Sequence, residues 1–413
     1  MKPKTFMLIA IEPSGDQLAA ELVHALRDQF AAGEPILTPD YQPLYTSLEP
    51  RFFGAGGPQM AKAGVELAFD MTAHSVIGSD FLKHYFEFRR VFQDLCKLAL
   101  DREPDAIICV DSFLFNGLFA REIKEYVQAH SDWFHTWNPK IIQYVSPQVW
   151  ASRERRAYQL ARDFDVLLSI FPFEKQWYAR RVPRLRVDFV GHPIADRHSA
   201  RNGVPSLQQI SSSAPLLLLL PGSRRKELTR HLPVMLGALS IIRASIPDLR
   251  ARMVLPSESL LQQAKDFGLP AGVEVQCGGL PESLQEARAA IASTGTVTLE
   301  CACFGVPTVA LYKASWTTFQ IGKRIVKVKY LAMPNLLANE EVFPEFIQNA
   351  ATAENIARAG LELLRDEPRR ARIKAKLSEI VKSLGSAGAS QRAASAILGL
   401  LPLGAGRNSE AKT

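Results

Sequence analysis

Leu216-Leu217-Leu218-Leu219-Leu220-Pro221-Gly222-Ser223-Arg224-Arg225-Lys226-Glu227 decides how the rest of this 413-residue chain is read. Five consecutive leucines stopped by Pro-Gly are too short to span a bilayer. They fit a strand covered on both faces, as in a parallel sheet flanked by helices. The strand delivers a loop. Gly222 lets the backbone pass close to a ligand, Ser223 is placed to cap the next helix with its hydroxyl, and free N–H groups at a helix start attract phosphate. Arg224 adds a fork of donors suited to phosphate oxygens. Alone, these residues fit an ordinary strand-to-helix turn with a solvated arginine equally well. A second loop tips the reading. Residues 289–292 are small and apolar, and they lead into Ser293-Thr294-Gly295-Thr296-Val297-Thr298-Leu299-Glu300, again a small-residue loop that opens a helix. Two such loops at the carboxyl ends of neighbouring strands make a nucleotide-diphosphate pocket. Thr294, Thr296 and the local N–H groups would hold phosphate oxygens, and Glu300 would accept hydrogen bonds from ribose hydroxyls.

Bulk properties set the frame. A chain of 413 residues with 47% hydrophobic content predicts two or three globular domains with ample core. Five cysteines, scattered and without a CxxC pair, indicate neither a disulfide framework nor a zinc site and imply a reducing compartment. The first residues run directly into a strand, and no run of about eighteen apolar residues crosses a membrane, so the expected address is the cytoplasm. A net charge of +7 favours a polyanionic partner, whether nucleic acid, lipid headgroups or a phosphorylated substrate.

Taken in order, residues 6–11 form an apolar strand and Glu12-Pro13-Ser14-Gly15-Asp16 a tight turn, with Asp16 placed to cap a helix whose Leu18, Leu22, Leu26 and Phe30 share one face. Arg51-Phe52-Phe53-Gly54-Ala55-Gly56-Gly57-Pro58 reads as a strand entering a glycine loop. Residues 75–90 mix aromatic, apolar and basic side chains, a composition that docks on a lipid surface or, in its second half, packs as an amphipathic helix. Residues 106–111 make a buried strand ending in a carboxylate, Asp111, with Asn116 shortly after; an acid there sits where ligands bind in this fold class. Further strands are expected at 141–145, 166–170, 187–190, 252–255, 273–276, 289–292 and 308–312. Helix is expected from 334–339 onward to Leu401. The architecture is α/β, two doubly wound Rossmann-like sheets facing across a cleft. We place an N-terminal, acceptor- and membrane-facing domain at 1–195, a linker at 196–215, a UDP-sugar domain at 216–384, a C-terminal helix at 385–403 whose packing on an N-terminal domain the sequence leaves open, and a disordered tail at 404–413.

The ordered motifs resemble one family nearly end to end: lipid-A-disaccharide synthase, an inverting glycosyltransferase with two Rossmann-like domains. They are Glu12-Pro13-Ser14-Gly15-Asp16, Gly56-Gly57-Pro58-Gln59-Met60, Tyr144-Val145-Ser146-Pro147-Gln148-Val149-Trp150-Ala151, Phe171-Pro172-Phe173-Glu174, Gly191-His192-Pro193, Leu220-Pro221-Gly222-Ser223-Arg224, Thr294-Gly295-Thr296-Val297-Thr298-Leu299-Glu300 and Met333-Pro334-Asn335-Leu336-Leu337-Ala338. The resemblance implies transfer from UDP-2,3-diacylglucosamine to 2,3-diacylglucosamine 1-phosphate through a β-1,6 bond, at the inner face of the cytoplasmic membrane, with no cofactor or metal and no nucleic-acid partner. Whether the chain forms a homodimer stays open. By motif, Asp111 is the essential carboxylate, with Glu12 and Asp16 as further catalytic candidates. Arg224, Glu300 and Asn335 belong to the donor site. Ser14, Gly15, Gly57, Asn116, Ser146, His192, Gly222, Ser223, Thr294, Gly295, Thr296 and Thr298 complete the substrate-binding candidates.

Three stretches depart from the family pattern. Ile11 replaces a glycine before Glu12, Leu114 replaces the second acid of Asp-x-Pro-Asp-Phe-Asn, and Asp80, Lys83 and His84 interrupt an apolar membrane patch. The acceptor side is therefore expected to differ more than the donor side. Two other readings compete: another UDP-sugar enzyme on the same scaffold, such as a 2-epimerase, and a noncatalytic nucleotide-sugar binder, for which the lost acid argues. The charge alone would suit a nucleic-acid binder, but no aromatic-and-basic motif accompanies it.

Overall fold

The structure is a computed structural model describing residues 3–32, 36–37, 43–44, 49–72, 85–199 and 214–401. It divides into two units, Met1–Asp196 with Gly385–Thr413, and Arg197–Leu384. The first begins with β1 (Thr5–Ala10), α1 (Pro13–Ala31), the short pair β2 (Ile36–Leu37) and β3 (Pro43–Leu44), β4 (Arg51–Gly56), α2 (Pro58–Lys62), β5 (Glu66–Asp70) and α3 (Tyr85–Arg102). It continues with β6 (Ala106–Val110), α4 (Phe113–His130), β7 (Lys140–Tyr144), α5 (Arg156–Asp163), β8 (Val166–Ser169), α6 (Pro172–Arg181), β9 (Arg186–Phe189) and α7 (Pro193–Ser199). Its main sheet is parallel throughout, in the order β5-β4-β1-β6-β7-β8-β9. Apolar runs such as Ala106–Val110 are buried along their whole length, because crossover helices cover both faces of such a sheet.

The second unit holds β10 (Leu216–Leu220), α8 (Arg225–Ser245), β11 (Arg250–Leu255), α9 (Glu258–Asp266), β12 (Val273–Cys277), α10 (Leu280–Glu286), β13 (Ala289–Ser293), α11 (Thr296–Cys303) and β14 (Thr308–Tyr312). Then come α12 (Trp316–Ile325), α13 (Met333–Ala338), β15 (Glu345–Ile347), α14 (Ala353–Arg365) and α15 (Glu367–Ser383). The parallel sheet runs β12-β11-β10-β13-β14-β15. The leucine strand is buried at every position and sits beside small residues, with Leu217 opposite Ala289 and Leu218 opposite Ala290. Small residues beside the leucines leave room for the larger side chains in the layer.

The chain ends its described course with α16 (Ala389–Leu398), which packs on α1 in the first unit. Asp196 caps it, its carboxylate accepting from the N–H groups of Gly388, Ala389 and Ser390. Arg392 donates from Nε to the Val190 carbonyl at 2.8 Å.

Several expectations need correction. The C-terminal stretch is not helical throughout, since β15 interrupts it, and β5 was not foreseen because its residues alternate between exposed and half-buried at a sheet edge. Of residues 75–90, those up to 84 lie outside the described residues. In α3, Phe88 and Phe92 stand edge-on to Phe115 at 5.1 and 5.5 Å, so this part is core, while Arg89 and Arg90 are exposed. The linker expected at 196–215 lies outside the described residues from 200 to 213, as does the expected tail at 404–413; α7 covers the linker's first residues.

Ser146, at the end of β7, is also buried. Its hydroxyl lies 3.0 Å from the Tyr178 hydroxyl, and beside it the wholly buried Glu174 accepts from Trp150 Nε1 at 2.9 Å and from the Phe171 N–H at 3.1 Å. The Tyr144–Ala151 and Phe171–Glu174 motifs thus interlock as one polar core. Burial pushes the Glu174 carboxyl from about 4.5 up to about 7.

Two outcomes follow. A Cβ at Gly54, where φ is +146°, would stand 1.9 Å from the Leu8 carbonyl oxygen, whereas one at Gly305, φ +63°, meets nothing within 4 Å. Gly54→Ala should therefore cost about 3 kcal/mol or more and Gly305→Ala only about 1–2 kcal/mol in urea unfolding; equal costs would refute the clash. For Glu174 the folded pKa is the higher one, so its contribution is fully present below pH 4.5 and lost as pH rises to about 7. The stability difference between Glu174→Gln and wild type should move in favour of glutamine by roughly 2–3 kcal/mol across that window. A pH-independent difference would show that the carboxyl does not titrate there.

Candidate active site

In each sheet the strand order reverses once, between β1 and β6 in the first unit and between β10 and β13 in the second. Loops leaving the carboxyl ends of such strand pairs diverge and open a crevice where open α/β sheets bind ligands.

Asp111 follows β6 with φ +55°, Ser112 has φ +29°, and Val145 beyond neighbouring β7 has φ +70°. Such backbone costs about 1–3 kcal/mol per residue and persists only where surroundings hold it. Here the Asp111 N–H donates to the Tyr144 carbonyl at 2.9 Å. Its own carbonyl accepts from Asn116 Nδ2 and from Gln143 Nε2, each at 2.9 Å. Asn116, a binding candidate, is wholly buried and serves this clamp. Burial raises the Asp111 carboxyl above the ordinary aspartate range, partly offset by the Ser112 N–H. Gly15 packs beside it, since a Cβ at 15 would stand 3.8 Å from Asp111 Cβ.

Asp16 does not cap α1, whose N-cap is Glu12. One turn inside the helix, its carboxylate instead accepts from the N–H groups of Gly57, Gln59 and Met60 at 2.8, 2.9 and 3.0 Å. It caps the five-residue α2 and ties the glycine loop to α1. Gly57 must be glycine there, because a Cβ would stand 2.7 Å from Asp16 Oδ2 and 2.5 Å from the Thr72 side chain. Glu12 and Ser14 are exposed at the start of α1. His192 accepts the Ile194 N–H on Nδ1 at 3.1 Å, with its ring 5.4 Å from Phe171.

In the second unit, Gly222 has φ +121°, and a Cβ there would stand 2.6 Å from Glu227 Oε2 and 3.3 Å from Ser293 Oγ. The two small-residue loops are thus in contact. Ser223 does not cap α8. The N-cap is Arg224, and Ser223 donates its N–H to Glu227 at 3.3 Å, so that carboxylate takes the place expected of a hydroxyl cap. The Arg224 side chain is 76% exposed and pairs with Glu227 at 3.3 Å. Gly295, φ +131°, is the N-cap of α11, and a Cβ there would meet nothing within 4 Å. Thr294 is half-buried, Thr296 exposed, and Glu300 half-buried in the same helix.

Thr298 and Asn335 are wholly buried and turn inward. Thr298 Oγ1 donates to the Gly295 carbonyl at 2.6 Å and accepts the Met333 N–H at 3.1 Å. Asn335 accepts from Val342 and Phe343 at 2.9 and 2.7 Å and donates to the Phe343 carbonyl at 2.8 Å and Glu345 at 3.2 Å. These residues shape the loop; their polar groups are spent inside the fold.

His231 was missed from sequence. Its Nδ1 donates to the Pro221 carbonyl at 2.7 Å and its Nε2 accepts the Lys313 N–H at 3.0 Å, joining the loops after β10 and β14. Burial lowers the pKa of the imidazole. No sequence signal marks it, since a lone histidine on an apolar helix face has no pattern. Among the described residues no group of three or more His, Cys, Asp or Glu side chains is arranged to hold a metal ion, and no helix is long and apolar enough to cross a membrane.

Comparison with known proteins bears on the fold and the family. Solved structures sharing the fold include the glycosyltransferase of kitacinnamycin, with a TM-score of 0.59 and 18% identity over 97% of this chain and 100% of that one. Another is the UDP-GlcNAc 2-epimerase of Methanocaldococcus jannaschii in complex with UDP-GlcNAc and UDP, at 0.57 and 12% over 96% and 99%. Lipid-A-disaccharide synthases are closer in sequence: that of Geobacter sulfurreducens is 35% identical over 96% of this chain and 97% of its own, and that of Trichlorobacter lovleyi 33% over 97% and 98%. The family profile described as lipid-A-disaccharide synthetase matches residues 6–399. With both reversal points built and the match nearly end to end, the chain belongs to the lipid-A-disaccharide synthase family of glycosyltransferases.

Proposed function

We propose that the protein transfers 2,3-diacylglucosamine from its UDP donor to the 6-hydroxyl of 2,3-diacylglucosamine 1-phosphate, with Asp111 as the general base. The observation that carries this is Asp111 itself: a carboxylate at a strand-order reversal, on clamped left-handed backbone, with its pKa raised by burial. A base works best when its pKa approaches the working pH. The acceptor hydroxyl gives its proton to the Asp111 carboxylate while its oxygen bonds to the anomeric carbon. The bond from that carbon to the diphosphate oxygen breaks on the opposite face, so configuration inverts and UDP leaves through an oxocarbenium-like state.

The second unit is assigned the donor. The N-terminus of α11 with Gly295 and Thr296 offers N–H groups to the diphosphate, Arg224 a charged fork, and Glu300 an acceptor for ribose hydroxyls. Gly222 and Gly295 let these groups come close. Thr298, Asn335 and His231 hold the loops in place. The workplace assigned is the cytoplasmic face of the inner membrane, where both lipid substrates lie, and the exposed Arg89 and Arg90 suit anionic headgroups.

Formation of a disaccharide 1-phosphate from the two lipids, followed by mass spectrometry, tests the whole reading; epimerised UDP-sugar or unchanged lipids would refute it. Arg224→Ala should weaken UDP binding by about one to two decades, the effect of a lost charge-assisted contact, read by calorimetry. Unchanged affinity would remove Arg224 from the donor site. Asp111→Asn should lower kcat by about a hundred- to ten-thousandfold with UDP affinity intact, and the acid limb of the wild-type profile should lie above the ordinary aspartate value of about 4. Near-normal turnover would move the base elsewhere, with Glu12 the next candidate.

A further inference from the structure

Between α4 and α5 of the first unit lies a pocket of about 250 Å³ that the site above does not use. Arg121, Arg155, Arg156 and Arg162 line it, against a single acidic wall residue, Asp163. Asp163 is engaged by Arg162, which donates from Nε and Nη2 at 2.6 and 2.8 Å. Arg121 is engaged by Glu125 at 2.6 Å. These pairings leave Arg155 and Arg156 without a carboxylate among the described residues. Arg156 is held over the Phe113 ring, 5.7 Å from its centroid. Burial and the charge of Arg153 lower its pKa from the usual arginine range, the mark of a crowded positive site that an anion would relieve.

The other wall is apolar. Leu114 and Leu118, one turn apart on α4, are 57% and 50% exposed and both line the pocket. Large aliphatic side chains left in water beside unpaired guanidinium groups match a ligand with an anionic head and an acyl chain. The pocket also begins in the first turn of α4, directly after Asp111.

We propose that this pocket binds the phosphate monoester of the acceptor lipid on Arg155 and Arg156, with acyl chain lying on Leu114 and Leu118. The identity of the acceptor rests on the transfer reading above; the pocket's selectivity for a phosphorylated lipid is tested without it. In neutral detergent micelles, binding of 2,3-diacylglucosamine 1-phosphate and of its dephosphorylated counterpart is compared for wild type and Arg155→Ala/Arg156→Ala. The double variant should weaken the phosphorylated lipid by about ten- to a hundredfold and the neutral one by less than about twofold. Leu118→Ser should weaken both alike. Melting temperature and UDP affinity should be kept, and Arg155→Ala alone, at an exposed position, serves if the double variant does not fold. In turnover, KM for the phosphorylated acceptor should rise by the same factor with kcat within about twofold.

An unchanged preference for the phosphorylated lipid would overturn the proposal. So would a variant that keeps that preference and loses only its adsorption to phosphatidylglycerol vesicles, since the arginines would then meet the bilayer rather than the acceptor. Wild-type protein that binds the phosphorylated lipid selectively yet forms no disaccharide would refute the transfer reading and leave the pocket standing.

Discussion

A parallel strand ends with backbone groups that its ladder no longer satisfies, and in this protein buried side chains take them up. The Asp111 carbonyl goes to Asn116 and Gln143, the Pro221 carbonyl to His231, the Phe343 N–H and carbonyl to Asn335, and the N–H groups after Gly56 to Asp16. Leaving one such buried group unpaired costs about 1–3 kcal/mol, comparable to the strain of a left-handed residue. The clamps therefore decide which loop conformations can exist at all. Without Asn116 and Gln143, Asp111 would have little reason to stay at φ +55°.

Two kinds of polar residue follow from this. One kind is buried with its polar atoms bonded inside the fold, as Thr298, Asn335 and Ser146 are, and sets the shape of the loop around it. The other is exposed or half-buried with donors or acceptors to spare, as Arg224 and Thr296 are. Catalysis by a fixed electrostatic environment needs both, because donors aimed at developing charge are effective only when their orientation is set beforehand. Motif membership does not distinguish the two kinds, but burial does.

Much of the fold was legible because fully buried parallel strands leave a strong mark. Leu216–Leu220 and Ala106–Val110 are unbroken apolar runs followed by small or acidic turn residues, and each occurs where the pattern placed it. Glu66–Asp70 and Glu345–Ile347 left no such mark: edge strands are covered on fewer sides, so their composition resembles a loop or helix end. The capping assignments failed for a related reason. Asp16 and Ser223 have the right residue types at the right distance from a helix start, yet Asp16 faces α2, and Glu227 reaches back to the Ser223 N–H. Local sequence encodes what a side chain can accept, and tertiary neighbours decide what it does accept. His231 shows the limit most clearly, since its two partners are 10 and 82 residues away.

The path of the chain adds a constraint on how the first unit can form. Its helix α1 packs against α16, which is reached only after the whole of the second unit has been passed. Gln29 of α1 donates to the Gln391 carbonyl at 2.7 Å and to Ser395 Oγ at 2.8 Å, and Asp196 supplies the cap of α16. Where the chain leaves the first unit and where it returns are also adjacent, a Cβ at Gly385 standing 3.3 Å from Gly191 Cα. During synthesis the β1–β9 sheet can pair as soon as its strands emerge, but one face of α1 must wait for the C-terminal helix. Gly15, Asp16 and the glycine loop that Asp16 ties down are thus anchored on an element whose packing is completed last.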